Sequence, residues 1–358
     1  MSINKIPMKR YLGLLIVAVC LVSCIKDAPL NPEADIEVFT VPQGQLTGQT
    51  NIDQANRKIQ VFLTKEAFEK GIAPNLVISK NAKVKPASGD SIHFNKGAVE
   101  YTVSSERGDD IKKYTVEVIN VGDWSFEFEN WTQNADDKYE FPVESNGTAI
   151  WSSGNPGVAL SGVPPMVSSY PTRSTTDGYQ GTKAAEMVTI KGTTLSAIVG
   201  IYLYAGSLFL GDFNSENVLA EPLAATEFGE PYIGLPDKFV GDYKYTPGTS
   251  FQDENQKIIP GRVDECSIYA VLFEGNERLN GTNINTSERV VAVARLSDGT
   301  AKANFTKFDI PFVYKGGWIA SGKNLMMAII ASSSKEGDHY RGALGSRLVV
   351  DNLSVIPK

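Results

Sequence analysis

The stretch Tyr114-Thr-Val-Glu-Val-Ile119 places Tyr and two Val residues at every second position, with polar Thr and Glu between them. Successive side chains of a β-strand point to opposite faces, so this spacing predicts a strand with one buried face. Similar segments lie around it, separated by turn residues such as Ser88-Gly89. These segments are Ile36–Val41, Ile59–Leu63, Leu76–Ile78 and Val99–Val103. The sequence therefore predicts a β-sandwich in this region.

The composition extends this prediction to the whole chain. The chain has 358 residues, of which 42% are hydrophobic and 21% charged, and it holds 32 Gly and 18 Pro. Such a chain can bury a core, and its many turn formers favour short strands over long helices. Its length predicts two domains or one large β domain. Because aromatic residues become frequent from Trp124 onward, we place two domains at 34–120 and 121–358. We therefore predict an all-β fold.

One uncharged run resembles a membrane span. It extends from Leu195 to Leu210 and is interrupted by Gly200 and Gly206. The run is shorter than the roughly 20 residues that a spanning helix needs. We therefore interpret it as two core strands around a turn.

The N-terminus has the order of a secretory signal peptide. Basic residues precede an uncharged run from Tyr11 to Val22, which is too short to span a bilayer as a helix. The run ends at Leu21-Val-Ser-Cys24, which resembles a bacterial lipobox. That resemblance implies cleavage before Cys24 and acylation of its thiol and amino group. We predict a signal peptide over 1–23 and an extended tether over 24–33.

Charge and cysteine content exclude several functions. The net charge is −7, and the chain has no basic cluster beyond Lys9-Arg10, which argues against nucleic acid as a partner. Once Cys20 leaves with the signal peptide and Cys24 is acylated, Cys266 remains alone and cannot form an intramolecular disulfide. Because it lies in an apolar segment, we expect its thiol to be buried and inert.

Three segments of the first domain match a known pattern. They are Ala82–Gly89, Val99-Glu-Tyr-Thr-Val103 and Lys113-Tyr-Thr-Val-Glu-Val118. The arrangement resembles the immunoglobulin-like domains that open many Bacteroidetes surface lipoproteins. The resemblance implies an immunoglobulin-like β-sandwich that acts mostly as a spacer.

Segments throughout the second domain also match one family. The longest are Tyr170-Pro-Thr-Arg-Ser-Thr-Thr-Asp-Gly-Tyr-Gln-Gly181, Phe239–Gly248 and Gly345-Ser-Arg-Leu-Val-Val-Asp-Asn-Leu353. They resemble the carbohydrate metabolism domain (PCMD) of Bacteroidetes lipoproteins. The resemblance implies a jelly-roll β-sandwich similar to carbohydrate-binding modules. It also implies a cell-envelope protein, which we expect at the surface of the outer membrane and held there only by its lipid.

Residues suited to sugar binding occur in Gly-, Asn- and Pro-rich parts of the second domain. Flat aromatic rings can stack on the apolar face of a pyranose, while charged and amide groups bind its hydroxyls. Our candidates for an aromatic-lined glycan cleft are Trp131, Trp151, Tyr170, Arg173, Asp177, Tyr179 and Tyr243. Two alternatives remain open: the tryptophans can be core residues, and Arg173 can be a structural partner of a carboxylate.

A structural calcium ion is a further expectation. Asp351 occupies a position that resembles the terminal Val-Asp-Asn strand of carbohydrate-binding jelly rolls, where an aspartate often joins a glutamate around Ca²⁺. The resemblance implies Glu127 or Glu129 as the partner, and carboxylate oxygens suit this cation. The alternative is an aspartate that accepts hydrogen bonds from a loop.

Two other functions remain alternatives to glycan binding. A glycoside hydrolase needs two carboxylates around the scissile bond. The acidic region that could supply them contains Glu227, Glu230, Asp237 and Asp242. The second alternative is a structural adhesin or surface-assembly subunit, which would contact surface proteins through an exposed strand edge.

Overall fold

The computed structural model describes residues 29–358, except for 43, 95–96, 122–123, 145–146, 180, 217, 219–220, 233 and 320–323. The predicted signal peptide, Cys24 and the first part of the tether lie outside the described residues. Within the described part, no helix has the length and apolar character needed to cross a membrane.

The first part of the chain forms a five-stranded sheet and a two-stranded sheet around one core. The strands are β1 (Ile36–Thr40), β2 (Asn51–Asp53), β3 (Lys58–Leu63), β4 (Asn75–Ile78), β5 (Lys83–Lys85), β6 (Val99–Ser104) and β7 (Ile111–Val121). The larger sheet has the order β2-β3-β7-β6-β5, and β1 pairs with β4. Tyr101 and Tyr114 are fully buried at its centre. One short helix, α1 (Lys65–Lys70), follows β3, with Thr64 as its N-cap.

The second part of the chain is built on two larger sheets. The nine-stranded sheet contains β11 (Trp151–Ser153), β16 (Ser207–Phe213), β17 (Thr226–Phe228), β18 (Glu230–Tyr232), β21 (Ser267–Glu274), β22 (Leu279–Asn280), β23 (Val290–Arg295), β25 (Val313–Tyr314) and β26 (Leu325–Ser332). The six-stranded sheet contains β8 (Ser125–Phe126), β12 (Thr172–Thr175), β13 (Ala184–Val188), β19 (Pro236–Thr246), β24 (Lys302–Pro311) and β28 (Arg347–Pro357). Apolar side chains of both sheets share one core, so the predicted all-β sandwich fold is confirmed.

Short elements connect these sheets. The remaining strands are β9 (Trp131–Gln133), β10 (Glu140–Pro142), β14 (Ile190–Lys191), β15 (Leu203–Tyr204), β20 (Phe251–Gln252) and β27 (Gly342–Ala343). The helices are α2 (Asn155–Ala159) and α3 (Thr194–Ile198), and single 3₁₀ turns lie at Val167–Ser169 and Gly337–His339. The prediction of two strands within Leu195–Leu210 is therefore wrong for its first part. There Thr193 accepts a hydrogen bond from the Ser196 amide and caps α3.

The two parts of the chain are packed against each other. Phe62 of β3 belongs to the core of the second part, and its ring is stacked on that of Trp124 with the centroids 6.3 Å apart. Thr148 donates a hydrogen bond from Oγ1 to the carbonyl oxygen of Val118, at 2.6 Å. The junction therefore contains apolar as well as polar contacts.

Candidate functional site

The nine-stranded sheet is apolar on both faces. Along β21, Ile268, Ala270 and Leu272 point into the core shared with the six-stranded sheet. The alternate residues, Tyr269 and Phe273 among them, belong to a separate apolar cluster on the opposite face. Because side chains alternate along a strand, one apolar strand supplies both the core and the floor of a second, outer layer.

A cavity of about 210 Å³ lies on this outer face. Aromatic rings from three strands of the sheet line it, and polar side chains come from strand ends and from the loops above. The aromatic residues are Phe209, Phe228 and Tyr269, and the polar ones include Ser267, Asn285, Arg295, Ser332, Lys335 and Asp338. We call this cavity the outer-face pocket. It combines a flat apolar floor with hydrogen-bonding groups at its rim.

Arg295 is positioned by its contacts with the pocket floor. The carbon of its guanidinium group lies 3.9 Å from the centroid of the Tyr269 ring. Its Nη2 donates a hydrogen bond to Oδ1 of Asn285, at 2.7 Å. Stacking on an aromatic face together with a hydrogen bond holds a guanidinium in one orientation. The remaining N–H groups can therefore be offered to a ligand in a fixed direction.

The phenol of Tyr269 is kept neutral at ordinary pH. Burial raises its pKa, and Asp338 raises it further, whereas the Arg295 charge acts in the opposite direction. Tyr269 is only 7% exposed, while Arg295 and Asp338 are exposed at the rim. The pocket thus offers a cationic donor, a carboxylate acceptor and a neutral hydroxyl around an aromatic surface. These are the groups that a sugar ring requires.

Three of the aromatic residues predicted from the sequence to bind sugar are core residues. Trp151, Tyr170 and Tyr243 are 3%, 1% and 2% exposed. Trp151 packs edge to face against Phe126 and Phe128, with centroids 5.1 and 5.2 Å apart. A pyranose needs an open ring face for stacking, and these rings have none. The prediction that these three rings line a cleft is therefore corrected: they are part of the buried core.

The other two predicted rings are more accessible than these three. Trp131 is half-buried and donates a hydrogen bond from Nε1 to the carbonyl oxygen of Phe128, at 2.6 Å. Tyr179 is 48% exposed, and its ring lies 5.5 Å from that of Phe305. Of the predicted aromatic residues, Tyr179 keeps the most open face.

Arg173 and Asp177 are members of one ion-pair network. Arg173 lies 2.6 Å from Glu186, which also accepts a hydrogen bond from Arg347. Arg347 lies 3.1 Å from Asp177, which also pairs with Lys244. The hydrogen bond from Lys244 lowers the pKa of Asp177. Arg173 is therefore a structural partner of a carboxylate, which is the alternative to sugar binding that the sequence left open.

Asp351 holds the loop that contains Tyr179. Its Oδ2 accepts the Tyr179 amide at 2.7 Å, and its Oδ1 accepts the Asn352 amide at 2.8 Å. Glu129 holds the other end of the loop by accepting the Thr182 amide at 2.9 Å, and the Thr182 contacts lower its pKa. Asp351 is fully buried, whereas Glu127 is exposed.

This arrangement does not fit a calcium ion held by Glu127 and Asp351. Both carboxylate oxygens of Asp351 accept backbone N–H groups, whose partial positive charge disfavours a cation beside them. Within residues 29–358, excluding the gaps given above, no group of three or more acidic, histidine or cysteine residues could hold a metal. Calcium binding stays a prediction, and we assign no role that depends on it.

The acidic residues proposed for hydrolysis lie on two different sheets. Glu227 and Glu230 are on β17 and β18, whereas Asp237 and Asp242 are on β19. Burial raises the pKa of Asp242. The prediction of a single acidic region is therefore wrong, because β19 belongs to the opposite layer of the sandwich.

Glu230 is the most deeply buried of these carboxylates. It is 2% exposed, and its Oε1 lies 2.7 Å from Nη2 of Arg278. Its Oε2 has no hydrogen-bond partner among the described residues. Burial raises the pKa of Glu230, and Arg278 opposes that rise. Glu230 borders a polar cavity of about 950 Å³, whose opposite wall includes Asn51 and Lys58. This cavity lies between the two parts of the chain.

Comparisons with known proteins identify both parts of the chain. Residues 127–356 match the family model "Putative carbohydrate metabolism domain", which covers more than half of the sequence. The chain belongs to this family. Residues 36–118 match the model "SGBP, N-terminal", where SGBP denotes surface glycan-binding protein. The resemblance of the second domain to the PCMD family is confirmed, whereas the immunoglobulin-like character of the first domain and the lipid anchor stay predictions.

Two solved structures resemble this member of the PCMD family. The first is a "putative glycoside hydrolase" from Bacteroides thetaiotaomicron, with 34% identity and a TM-score of 0.66 over 93% of this chain and 99% of that one. The second is a "putative glycoside hydrolase" from Bacteroides vulgatus, with 32% identity and a TM-score of 0.60 over 66% of this chain and 98% of that one. No curated protein matches the chain by sequence.

The sequence interpretation missed the residues of the outer-face pocket. Tyr269, Asn285, Arg295 and Asp338 are spread over a stretch of 70 residues, and local pattern gives no reason to group them. One signal was present: Ser267–Glu274 is apolar at consecutive positions, which predicts a strand covered on both faces. A second covered face in a two-layer sandwich implies additional structure above the sheet.

Proposed function

We propose that this protein binds a glycan, without cleaving it, in the outer-face pocket. The observation that carries the proposal is the arrangement of Arg295 over the Tyr269 ring, with Asn285 hydrogen-bonded to the same guanidinium. The carbohydrate-related descriptions of both family models support it.

In this proposal each group of the pocket has one role. The aromatic floor excludes water and accepts the apolar C–H face of a sugar ring. Arg295 donates to one or two sugar hydroxyls, and Asp338 accepts from others. Because Arg295 is already oriented by its contacts, little side-chain entropy is lost on binding. The pocket therefore gains affinity from being formed before the ligand arrives.

Anchoring at the cell envelope completes the proposal. Acylation of Cys24 would attach the mature chain to the outer membrane, and the first domain would hold the pocket away from the lipid. The match of residues 36–118 to the N-terminal domain of surface glycan-binding proteins supports an outward-facing location. Metabolic labelling with an alkyne fatty acid, compared between the wild type and Cys24→Ala, tests the anchor.

Arg295→Ala is expected to weaken glycan binding at least tenfold, because charge-assisted hydrogen bonds contribute about 1.5–3 kcal/mol each. A glycan array identifies the ligand, and titration calorimetry then measures its dissociation constant. Arg107→Ala removes an exposed arginine of the first domain and serves as the matched control. Unchanged affinity in Arg295→Ala would remove the outer-face pocket from the proposal. An array without any bound glycan would favour the adhesin alternative.

Hydrolysis is the second candidate function. The descriptions of both similar structures name glycoside hydrolases, and Glu230 is a carboxyl group of raised pKa beside a cavity of about 950 Å³. A raised pKa is what a general acid needs. Each glycan found on the array is therefore incubated with the protein and assayed for new reducing ends. Product formation that is lost in Glu230→Gln would replace binding by hydrolysis.

A further inference from the structure

An apolar groove adjoins the outer-face pocket. It lies between α2 and α3, and its volume is about 440 Å³. Four aliphatic side chains of the groove are each more than half exposed to solvent: Leu160, Leu195, Ile198 and Val199. Among the described residues that line the groove, Asp338 is the only one with a charged side chain. So many exposed aliphatic residues in one place mark a binding surface.

Hydrogen bonds hold these apolar residues in place. Thr193 donates from Oγ1 to the carbonyl oxygen of Ser161, at 2.8 Å, which ties the start of α3 to the end of the segment that follows α2. Ser196 donates from Oγ to the carbonyl oxygen of Ile201, at 2.7 Å. The carbonyl oxygen of Ser196 accepts a hydrogen bond from the Ile201 amide. Both walls of the groove are therefore fixed by polar contacts behind them. Their aliphatic side chains face solvent as part of the fold.

The groove and the outer-face pocket share a wall. Leu223, Thr226, Gly337 and Asp338 line both cavities. The pocket alone, at about 210 Å³, is smaller than usual ligand sites of roughly 300–1,000 Å³. The two cavities together fall within that range. A single ligand can therefore extend from the polar pocket into the apolar groove.

We propose that the protein recognises a glycan that carries an apolar substituent, an aryl or acyl group, with its sugar in the outer-face pocket and the substituent in the groove. This inference rests on the proposed function of the pocket. The shared wall is the reason to assign the groove to the same ligand and not to a membrane or a second copy of the chain. Burying the substituent between Leu160 and α3 removes apolar surface from water on both partners.

Matched glycosides test the inference. The probes are the 4-nitrophenyl and methyl glycosides of the same common hexoses and pentoses, together with free 4-nitrophenol, titrated into the full chain by calorimetry. For the sugar that binds, we expect the 4-nitrophenyl glycoside to bind at least tenfold more tightly than the methyl glycoside. The double variant Ile198→Ser/Val199→Ser is expected to abolish this difference and to leave the affinity for the methyl glycoside unchanged.

A matched double variant controls for the loss of exposed aliphatic surface. Ile258→Ser/Val263→Ser changes the same two residue types at exposed positions away from the groove, and Val263 and Val199 are both 65% exposed. It is expected to behave as the wild type. Thermal unfolding of both double variants confirms that they are folded.

Every other outcome overturns the inference. Equal affinity for aryl and methyl glycosides would show that the groove does not bind the substituent, while the proposed glycan binding in the outer-face pocket would remain supported. No binding of any glycoside, with no glycan bound on the array, removes both. Binding of 4-nitrophenol as tight as that of its glycosides would mean that the groove acts without the sugar pocket. Binding to phosphatidylethanolamine–phosphatidylglycerol vesicles that is lost in Ile198→Ser/Val199→Ser would assign the groove to a lipid surface.

Discussion

Replacing Arg278 by alanine is expected to lower the free energy of unfolding at pH 7 by about 3 kcal/mol. Glu230 is almost fully buried, and its carboxylate lies 2.7 Å from the Arg278 guanidinium. Without that cation, a buried charge has no compensation for its lost hydration. Because the Arg278 side chain is 26% exposed, we expect a loss of stability at the lower end of the range of about 3–5 kcal/mol for breaking a buried ion pair. Urea unfolding followed by tryptophan fluorescence measures it.

The loss should depend on pH in a defined direction. Burial raises the pKa of Glu230, and removal of Arg278 raises it further. A carboxyl group whose pKa is higher in the folded state stabilises the fold below its unfolded pKa of about 4.3, and this stability is lost as pH rises through the folded value. Unfolding is therefore measured at about pH 5 and at about pH 8, and the difference between the variant and the wild type should be larger at the higher pH.

Two controls separate the buried pair from general effects of charge. Lys315 pairs with Glu288 at the surface, so Lys315→Ala should cause no measurable change. Adding Glu230→Gln to Arg278→Ala should restore part of the stability at pH 8, because the buried charge is then absent. A loss that is equal at both pH values would show that Arg278 acts through packing.

Trp151→Ala is expected to lower the free energy of unfolding by about 3–5 kcal/mol, the usual cost of truncating a buried aromatic residue. Its ring is 3% exposed and contacts two phenylalanine rings edge to face. Truncation leaves a cavity that Phe126 and Phe128 cannot fill without moving. At a temperature where the variant remains folded, its affinity for glycan should equal that of the wild type.

Tyr179→Ala provides the comparison for Trp151. This ring is 48% exposed, so its removal should change stability by no more than about 0.5 kcal/mol. Both variants are titrated with the glycan identified on the array. If Trp151→Ala lost binding while keeping its stability, the original interpretation of Trp151 as a sugar-stacking residue would be restored.

Predictions of elements followed the local pattern closely. The alternation around Tyr114 predicted β7, and the segments Ile36–Val41 and Ile59–Leu63 predicted β1 and β3. Predictions of site residues followed the residue type and were less accurate. Trp151, Tyr170 and Tyr243 have the side chains that sugar sites use, but those same rings fill β-sandwich cores. Only the position of each ring relative to the two sheets distinguishes these roles.

The sequence by itself determined the all-β fold, because strand periodicity and turn residues are local properties. It also indicated the family, because the matching segments extend along most of the second domain. The tertiary structure alone decided which residues form the outer-face pocket. Tyr269, Arg295 and Asp338 are distant in sequence and meet because β16, β21, β23 and β26 are neighbours in one sheet. The pairing order of strands depends on long-range contacts, and no local pattern specifies it.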